Sequence, residues 1–236
     1  MSTRDAIALL AGAVLVASLL GNTNAAPSQA TAANPLANAD GTGRGLAPIT
    51  SRGDRARATD LINALSVRAM GGKDGYERTR YGDNWADTAG AVPYSHNGCR
   101  TRDDLLARDG DDVERAGCTV TSLRLTDPYT GRVIRWHKSN ADEIQVDHVV
   151  PLSYAWRMGA NRWPMPKRLN FANDPLNLLP VYGNANEAKD GSGPGSWLPP
   201  QRTIRCAYAV RFAQVATKYR LPVTRADKTT MLAQCR

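Results

Sequence analysis

The stretch from Glu143 to Lys189 restricts the fold more than any other part of the chain. Ile144-Gln145-Val146-Asp147-His148-Val149-Val150-Pro151-Leu152 is an apolar, β-branched run that alternates into an Asp-His pair, and it reads as a strand. Asn177-Leu178-Leu179-Pro180-Val181-Tyr182 is a second apolar run. Gly183 follows it, and then Asn184-Ala185-Asn186-Glu187-Ala188-Lys189, which suits a helix start. A hairpin leading directly into a helix brings Asp147, His148 and Asn186 to one face.

Around that stretch the chain divides into three zones. Arg4 precedes an apolar run, Ala6 to Leu20, that is short for a membrane span, and small residues follow it up to Ala26. Residues 1–25 therefore read as a secretory signal peptide, and the chain as a secreted one. Residues 26–58, rich in Ala, Asn, Thr, Ser, Gly and Pro, hold few apolar side chains with which to offset ordering entropy, and read as a flexible linker. Residues 59–236 are expected to form one domain, opened by a short amphipathic helix with Leu61, Ile62, Leu65 and Ala69 on one face. With 42% hydrophobic content, a chain of 236 residues can bury a substantial core.

Turn and capping signals place the remaining elements. A helix capped by Thr101, with Asp103 and Asp104 in its first turn, is expected after Asn97-Gly98. Arg102 is expected to pair with nearby Asp residues, and Tyr81 and Trp85 to join the core. Residues 120–125 and 132–136 are β-like runs joined by a turn, Asp127-Pro128-Tyr129-Thr130-Gly131, and should pack beside the strand that carries Asp147. A helix from about Thr203 to Tyr219 and a last helix capped by Thr224 close the chain. The fold class is α+β.

None of the four cysteines lies in a C-x-x-C pair, so a structural zinc clip built from two such pairs is excluded. An even count in an exported chain argues for disulfides. Three pairings are possible. Sequence proximity favours Cys99–Cys118 and Cys206–Cys235, each worth about 3 kcal/mol through loop closure.

Asp147-His148-Val149-Val150-Pro151, then Asn177-Leu178-Leu179, then Asn186-Glu187-Ala188-Lys189 resembles the HNH (ββα-metal, His-Me finger) nuclease motif of Asp-His-Ile/Val-x-Pro, Asn-Leu and Asn/His-x-x-Lys. From about Tyr76 to Cys235 the chain resembles the secreted HNH endonucleases of actinobacterial, GmrSD-like type. The resemblance implies a ββα-metal centre embedded in a helical, disulfide-stapled domain. It also implies a metal-dependent endonuclease acting on nucleic acid, with DNA expected ahead of RNA.

Phosphodiester hydrolysis needs an activated water and stabilisation of charge on the phosphate and the leaving oxygen. His148, neutral near pH 7, suits the general base. A hard Mg²⁺ or Mn²⁺ prefers oxygen ligands and keeps several waters, so Asp147 and Asn186 suffice to hold it. Spacing to Lys189 favours Asn186 over its neighbour Asn184. In the family the middle asparagine, here Asn177, braces the loop and helps hold the catalytic histidine. The nine-residue step from Asn177 to Asn186 matches HNH nucleases whose last ligand is asparagine.

The net charge is +8, and most of it lies beyond Gln201, where eight basic residues face Asp227 alone. Such a segment is a candidate electrostatic track for a polyanion. Candidate nucleic-acid contacts are Lys189 at the end of the motif, Arg157, Lys167 and Arg168 in the insertion between its halves, and Arg211 in the basic tail. Trp156 and Trp163 are expected to pack that insertion onto the domain. The other functional class to weigh is an exported polyanion-binding module whose HNH site is degenerate. Cleavage assayed with and without divalent metal separates the two.

Overall fold

Residues 31–236 are described in a computed structural model, so the signal-peptide reading of residues 1–25 lies outside the described residues. A 3₁₀ turn at Pro35–Ala37 leads to α1 (Arg52–Asn63) and, after a long irregular stretch, to α2 (Thr101–Asp109). Three strands follow, β1 (Asp111–Ala116), β2 (Thr119–Thr126) and β3 (Val133–His137), and form an antiparallel sheet in that order. Next come β4 (Ile144–His148), α3 (Leu152–Arg157), α4 (Met165–Asn173) and β5 (Leu178–Tyr182). The chain then enters α5 (Gly183–Lys189) directly and ends with α6 (Arg205–Tyr219) and α7 (Arg225–Gln234). Among the described residues β4 and β5 pair only with each other, antiparallel, with His148 opposite Leu178 and Asp147 opposite Leu179. The architecture is α+β.

The core is built on α6. Its sequence is apolar nearly all the way round, and Ala207, Tyr208, Val210, Phe212, Ala213 and Val215 are fully buried. A helix of that kind must be covered on every side. α1 and α7 pack against it, as do the elements around β5, and Cys206–Cys235 joins its first turn to the end of α7. Cys99–Cys118 ties the loop before α2 to the β1–β2 turn. Both pairs are those favoured by proximity, and no cysteine is left unpaired. Thr224 caps α7 and shares a capping box with Asp227. The β2–β3 hairpin is as expected, and its core of Leu123, Leu125, Ile134 and Trp136 meets Ile144 at the start of β4. Trp156 is buried and Trp163 stacks on Tyr219 of α6, ring centroids 5.8 Å apart, so both tryptophans seat the insertion on the domain.

Several expectations need correction. α1 begins at Arg52, seven residues ahead of the expected domain start at Thr59, with Ser51 as its cap. Within the supposed linker, Leu46 and Ile49 are buried in the main core. The segment is short of apolar residues, but polar groups hold it in their place. Asn38 bonds both ways to the backbone of Gly43. Arg108 forks onto Asp109 at 2.7 Å through two nitrogens and also donates to the carbonyls of Gly41, Pro175 and Leu178. Asp109 in turn accepts from the amide of Gly45. Gly41 sits at φ +79° with Leu176 backbone where a Cβ would be, so no other residue fits there. Thr101 is the first residue of α2 and not its cap; its hydroxyl bonds to the carbonyl of Ala86. β1 went unread because Asp111-Asp112-Val113-Glu114-Arg115-Ala116 has no apolar alternation; it is an exposed, bulged and charged sheet edge.

The side chains of Arg108 and Asp109 are each only 3% exposed. Arg108→Met leaves the Asp109 carboxylate buried without its partner and should cost about 3–5 kcal/mol. The measurement is the urea midpoint of unfolding. A shift no larger than that of an exposed arginine substitution would mean that the pair does not hold the N-terminal segment in place.

Candidate active site

Two periodicities meet at the site. On a strand, alternate residues share a face, and on a helix, residues three apart do. Gln145 and Asp147 therefore share one face of β4, and Asn186 and Lys189 one face of α5. The pairs interlock: Asn186 Nδ2 donates to Gln145 Oε1 at 2.7 Å, and Lys189 Nζ donates to Asp147 Oδ1 at 2.8 Å. Gln145 Nε2 adds a bond to Glu187 Oε1 at 3.0 Å. Gly183 permits the close approach of the Asp142 carbonyl, which lies where a Cβ would be.

Asp147 is buried and both of its oxygens are engaged. Besides Lys189, Tyr129 donates its hydroxyl to Oδ2 at 2.6 Å. Lys189 is fully buried and makes a second bond to the backbone carbonyl of His148, at 2.8 Å. Burial pulls the Lys189 ammonium below its ordinary pKa, and Asp147 opposes that pull. Burial and then Asp147 hold the Tyr129 phenol well above its own, so it stays a donor.

His148 faces the other way. Its Nε2 lies 2.9 Å from the carbonyl oxygen of Ala172, which can only accept, so Nε2 carries the proton and Nδ1 is the basic nitrogen. Burial, with the charge of Arg78 adding to it, brings its pKa down to about 3. The imidazole is therefore neutral at neutral pH. Trp85 stacks on it, ring centroids 5.7 Å apart and planes 12° from parallel. Trp85 holds a left-handed backbone, φ +57°, a conformation that costs a bulky residue about 1–3 kcal/mol. Asn177, fully buried, braces the turn after the histidine: Oδ1 accepts from Val150 N at 2.8 Å, and Nδ2 donates to the carbonyls of Val150 and Phe171.

Asp147, His148 and Asn186 line one groove of about 380 Å³, with Arg78, Ser153, Glu187 and Asp190 around it. Asn184 is exposed and is not among the lining residues. The groove side chains of α5 that could ligate a metal, Asn186 and Glu187, offer oxygen, which fits a hard divalent ion. Asn186 Oδ1 makes no hydrogen bond to the described residues. Asp147 keeps two of a carboxylate's four lone-pair sites, the others being taken by Lys189 and Tyr129. Among the described residues no three His, Cys, Asp or Glu side chains cluster, so any such ion would hold most of its waters.

The five expected nucleic-acid contacts are placed otherwise. Lys189 is sealed against Asp147, and Arg211 is buried with Nη1 on the Leu176 carbonyl. Arg157 donates to Gly71 O, Lys167 to Tyr219 O, and Arg168 to the carbonyls of Arg80 and Trp163. Each of these charges satisfies a backbone oxygen and steadies a loop. Trp85, Tyr129 and Arg78 were missed, since nothing local in the sequence marks a turn tyrosine as the partner of Asp147 or a loop tryptophan as the wall of an imidazole. Tyr81 is core, as expected; Trp85 is half-buried against the site.

Residues 100–234 match the family described as GmrSD restriction endonucleases, C-terminal domain. The match spans more than half of the chain, and the chain belongs to this nuclease family. It is also 39% identical over 184 residues to an uncharacterized secreted protein of Arthroderma benhamiae, covering 75% of this chain and 84% of that relative. No solved structure matches it.

Lys189→Met should destabilise the fold by about 3–5 kcal/mol, because it strands the Asp147 carboxylate. Adding Asp147→Asn removes the stranded charge and should recover part of the loss, and a double-mutant cycle by urea denaturation reads the coupling. Additive effects would show that the two residues do not act as a pair.

Proposed function

We propose that this protein is an exported HNH-type endonuclease that hydrolyses nucleic-acid phosphodiester bonds, DNA foremost, with His148 as general base. The observation that carries this is the groove where His148 lies beside Asp147 and Asn186, in a chain of a nuclease family. Two disulfides and a secreted relative support export, and no helix among the described residues is long and apolar enough to cross a membrane.

In this reading the protein prepares its base before substrate arrives. The Ala172 carbonyl fixes the tautomer, Trp85 fixes the ring plane, and Asn177 fixes the turn, so Nδ1 can accept a proton from water without reorganising. Burial ensures the neutral form, and an arriving phosphate anion acts against burial by favouring the imidazolium that proton transfer creates. Asp147 and Asn186 would hold Mg²⁺ or Mn²⁺, which supplies positive charge for the phosphate and the leaving oxygen. Lys189 and Tyr129 fix the Asp147 carboxylate in direction.

One observation favours the binding-module reading with a degenerate site: both Asp147 oxygens are already engaged. Incubating purified protein with single- and double-stranded DNA and RNA, in Mg²⁺ or Mn²⁺ and in excess EDTA, decides between the two. Metal-dependent cleavage is expected. Undiminished cleavage in EDTA would refute the metal requirement, and no cleavage under any condition would leave the binding module.

Base and ligand should also fail differently. His148→Ala should lower turnover by about two orders of magnitude or more while metal binding survives. Asn186→Ala should weaken the metal, and its activity should climb as the metal concentration rises; Asp147→Ala should be rescued less. Metal titrations of the three variants, with circular dichroism to confirm folding, make the comparison. Rescue of His148→Ala by metal would undo the assignment.

A further inference from the structure

The groove beside His148 does not end at α5. A second cleft of about 330 Å³, lined by Trp85, Arg102 and Asp142, shares Arg78, Gln145, Val146 and Asn186 with it. The two make one channel running along β4, and the channel is electrically divided. Its α5 end presents the exposed carboxylates of Glu187 and Asp190, its other part presents Arg102 with the single carboxylate of Asp142, and Arg78 lines both.

These two arginines differ from the cations already described. Among the described residues neither joins an ion pair within 4.0 Å. Arg78 is exposed, touches Asn84 Oδ1 through Nε at 2.9 Å, and lies 5.8 Å from the centre of the Trp85 ring that covers His148. Arg102 was expected to pair with an aspartate. Instead it lies 5.6 Å from the centre of the Trp136 ring and makes one long contact, 3.5 Å, to the Ile144 carbonyl. Its nearest acids are otherwise placed: Asp103 accepts from the Val120 amide, and Asp142 lies at the channel rim. Partial burial holds the Arg102 guanidinium below its ordinary pKa, and the charges of Asp103 and Asp142 oppose that pull without reversing it. A half-desolvated guanidinium with unused donors binds a phosphate well, because both charges gain more there than in open water.

Resting on the nuclease reading, we propose that Arg78 and Arg102 are the phosphate-binding residues of this channel. Arg78 takes the backbone phosphate presented to His148, and Arg102 takes a flanking phosphate of the same strand. The carboxylates of Glu187 and Asp190 repel phosphate from the α5 end, so the strand lies toward Trp85 and any cation toward α5.

The test is binding of a fluorescent DNA oligonucleotide in EDTA, so that cleavage is not needed, across 50–200 mM salt. Each phosphate contact contributes about 0.7–0.9 to the slope of log affinity against log salt. Arg78→Gln and Arg102→Gln should each lower the slope by about one contact, and Arg78→Lys should keep it. Lys167→Gln, whose ammonium is held by the Tyr219 carbonyl, should leave the slope unchanged. Should Arg102→Gln lower the melting temperature, exposed Arg78 carries the test alone. A wild-type slope in Arg78→Gln, or an equal loss in Lys167→Gln, overturns the proposal while leaving cleavage by the wild type, and so the nuclease reading, intact. A lower slope in Arg78→Gln from a protein that never cleaves supports the phosphate contacts and overturns the nuclease reading instead.

Discussion

The bond between Lys189 and Asp147 is the contact on which the site depends. It joins the end of the short helix α5 to β4, across 42 residues of sequence, in a buried place. A lone charge there would be expensive, and together the two neutralise each other while Tyr129 takes a second site on Asp147 and the His148 carbonyl a second donor of Lys189. The geometry of α5 follows. Once Lys189 is anchored, Asn186 one turn earlier must face Gln145, and the groove acquires its oxygen-rich side. Lys189 also bonds the backbone carbonyl of His148, while Trp85 and the Ala172 carbonyl hold its ring.

Legibility in the sequence tracks the range of the interaction. β4, β5 and α5 could be read because their side chains repeat with the period of the element they occupy. The disulfides were readable from proximity, and the Thr224 cap from a pattern four residues long. Lys189 was misassigned for a physical reason: a lysine three residues after an asparagine is equally suited to a phosphate or to a buried carboxylate, and only the position of Asp147 decides. Trp85 could not be placed because its ring reaches a histidine 63 residues away through an irregular loop. The segment before α1 was misread because its order comes from Arg108, 67 residues from the Gly41 carbonyl that it binds.

Charge shows the same lesson on a larger scale. A strongly basic chain suggests that its basic residues face a polyanion, yet many arginines and lysines here end on carbonyl oxygens of their own loops. In a domain with long irregular connections, backbone acceptors that no helix or strand satisfies need donors, and a guanidinium supplies several at once. The net charge therefore says little about where a polyanion would lie. Exposed arginines lie on several faces of the domain, Arg115, Arg135 and Arg202 among them, and Arg78 and Arg102 are the ones set beside the His148 groove.

The Trp85 wall and the Arg108 fork have a practical corollary. The stretch by which this chain is recognised as a nuclease relative starts at residue 100. A fragment excised at that boundary would keep Asp147, His148 and Asn186 but lose the indole that covers the imidazole. It would also lose Leu46, Ile49 and Ile62, opening the flank of α6 to water. The autonomous unit is thus larger than the recognisable one, and it reaches back at least to the residues that Arg108 and Asp109 hold.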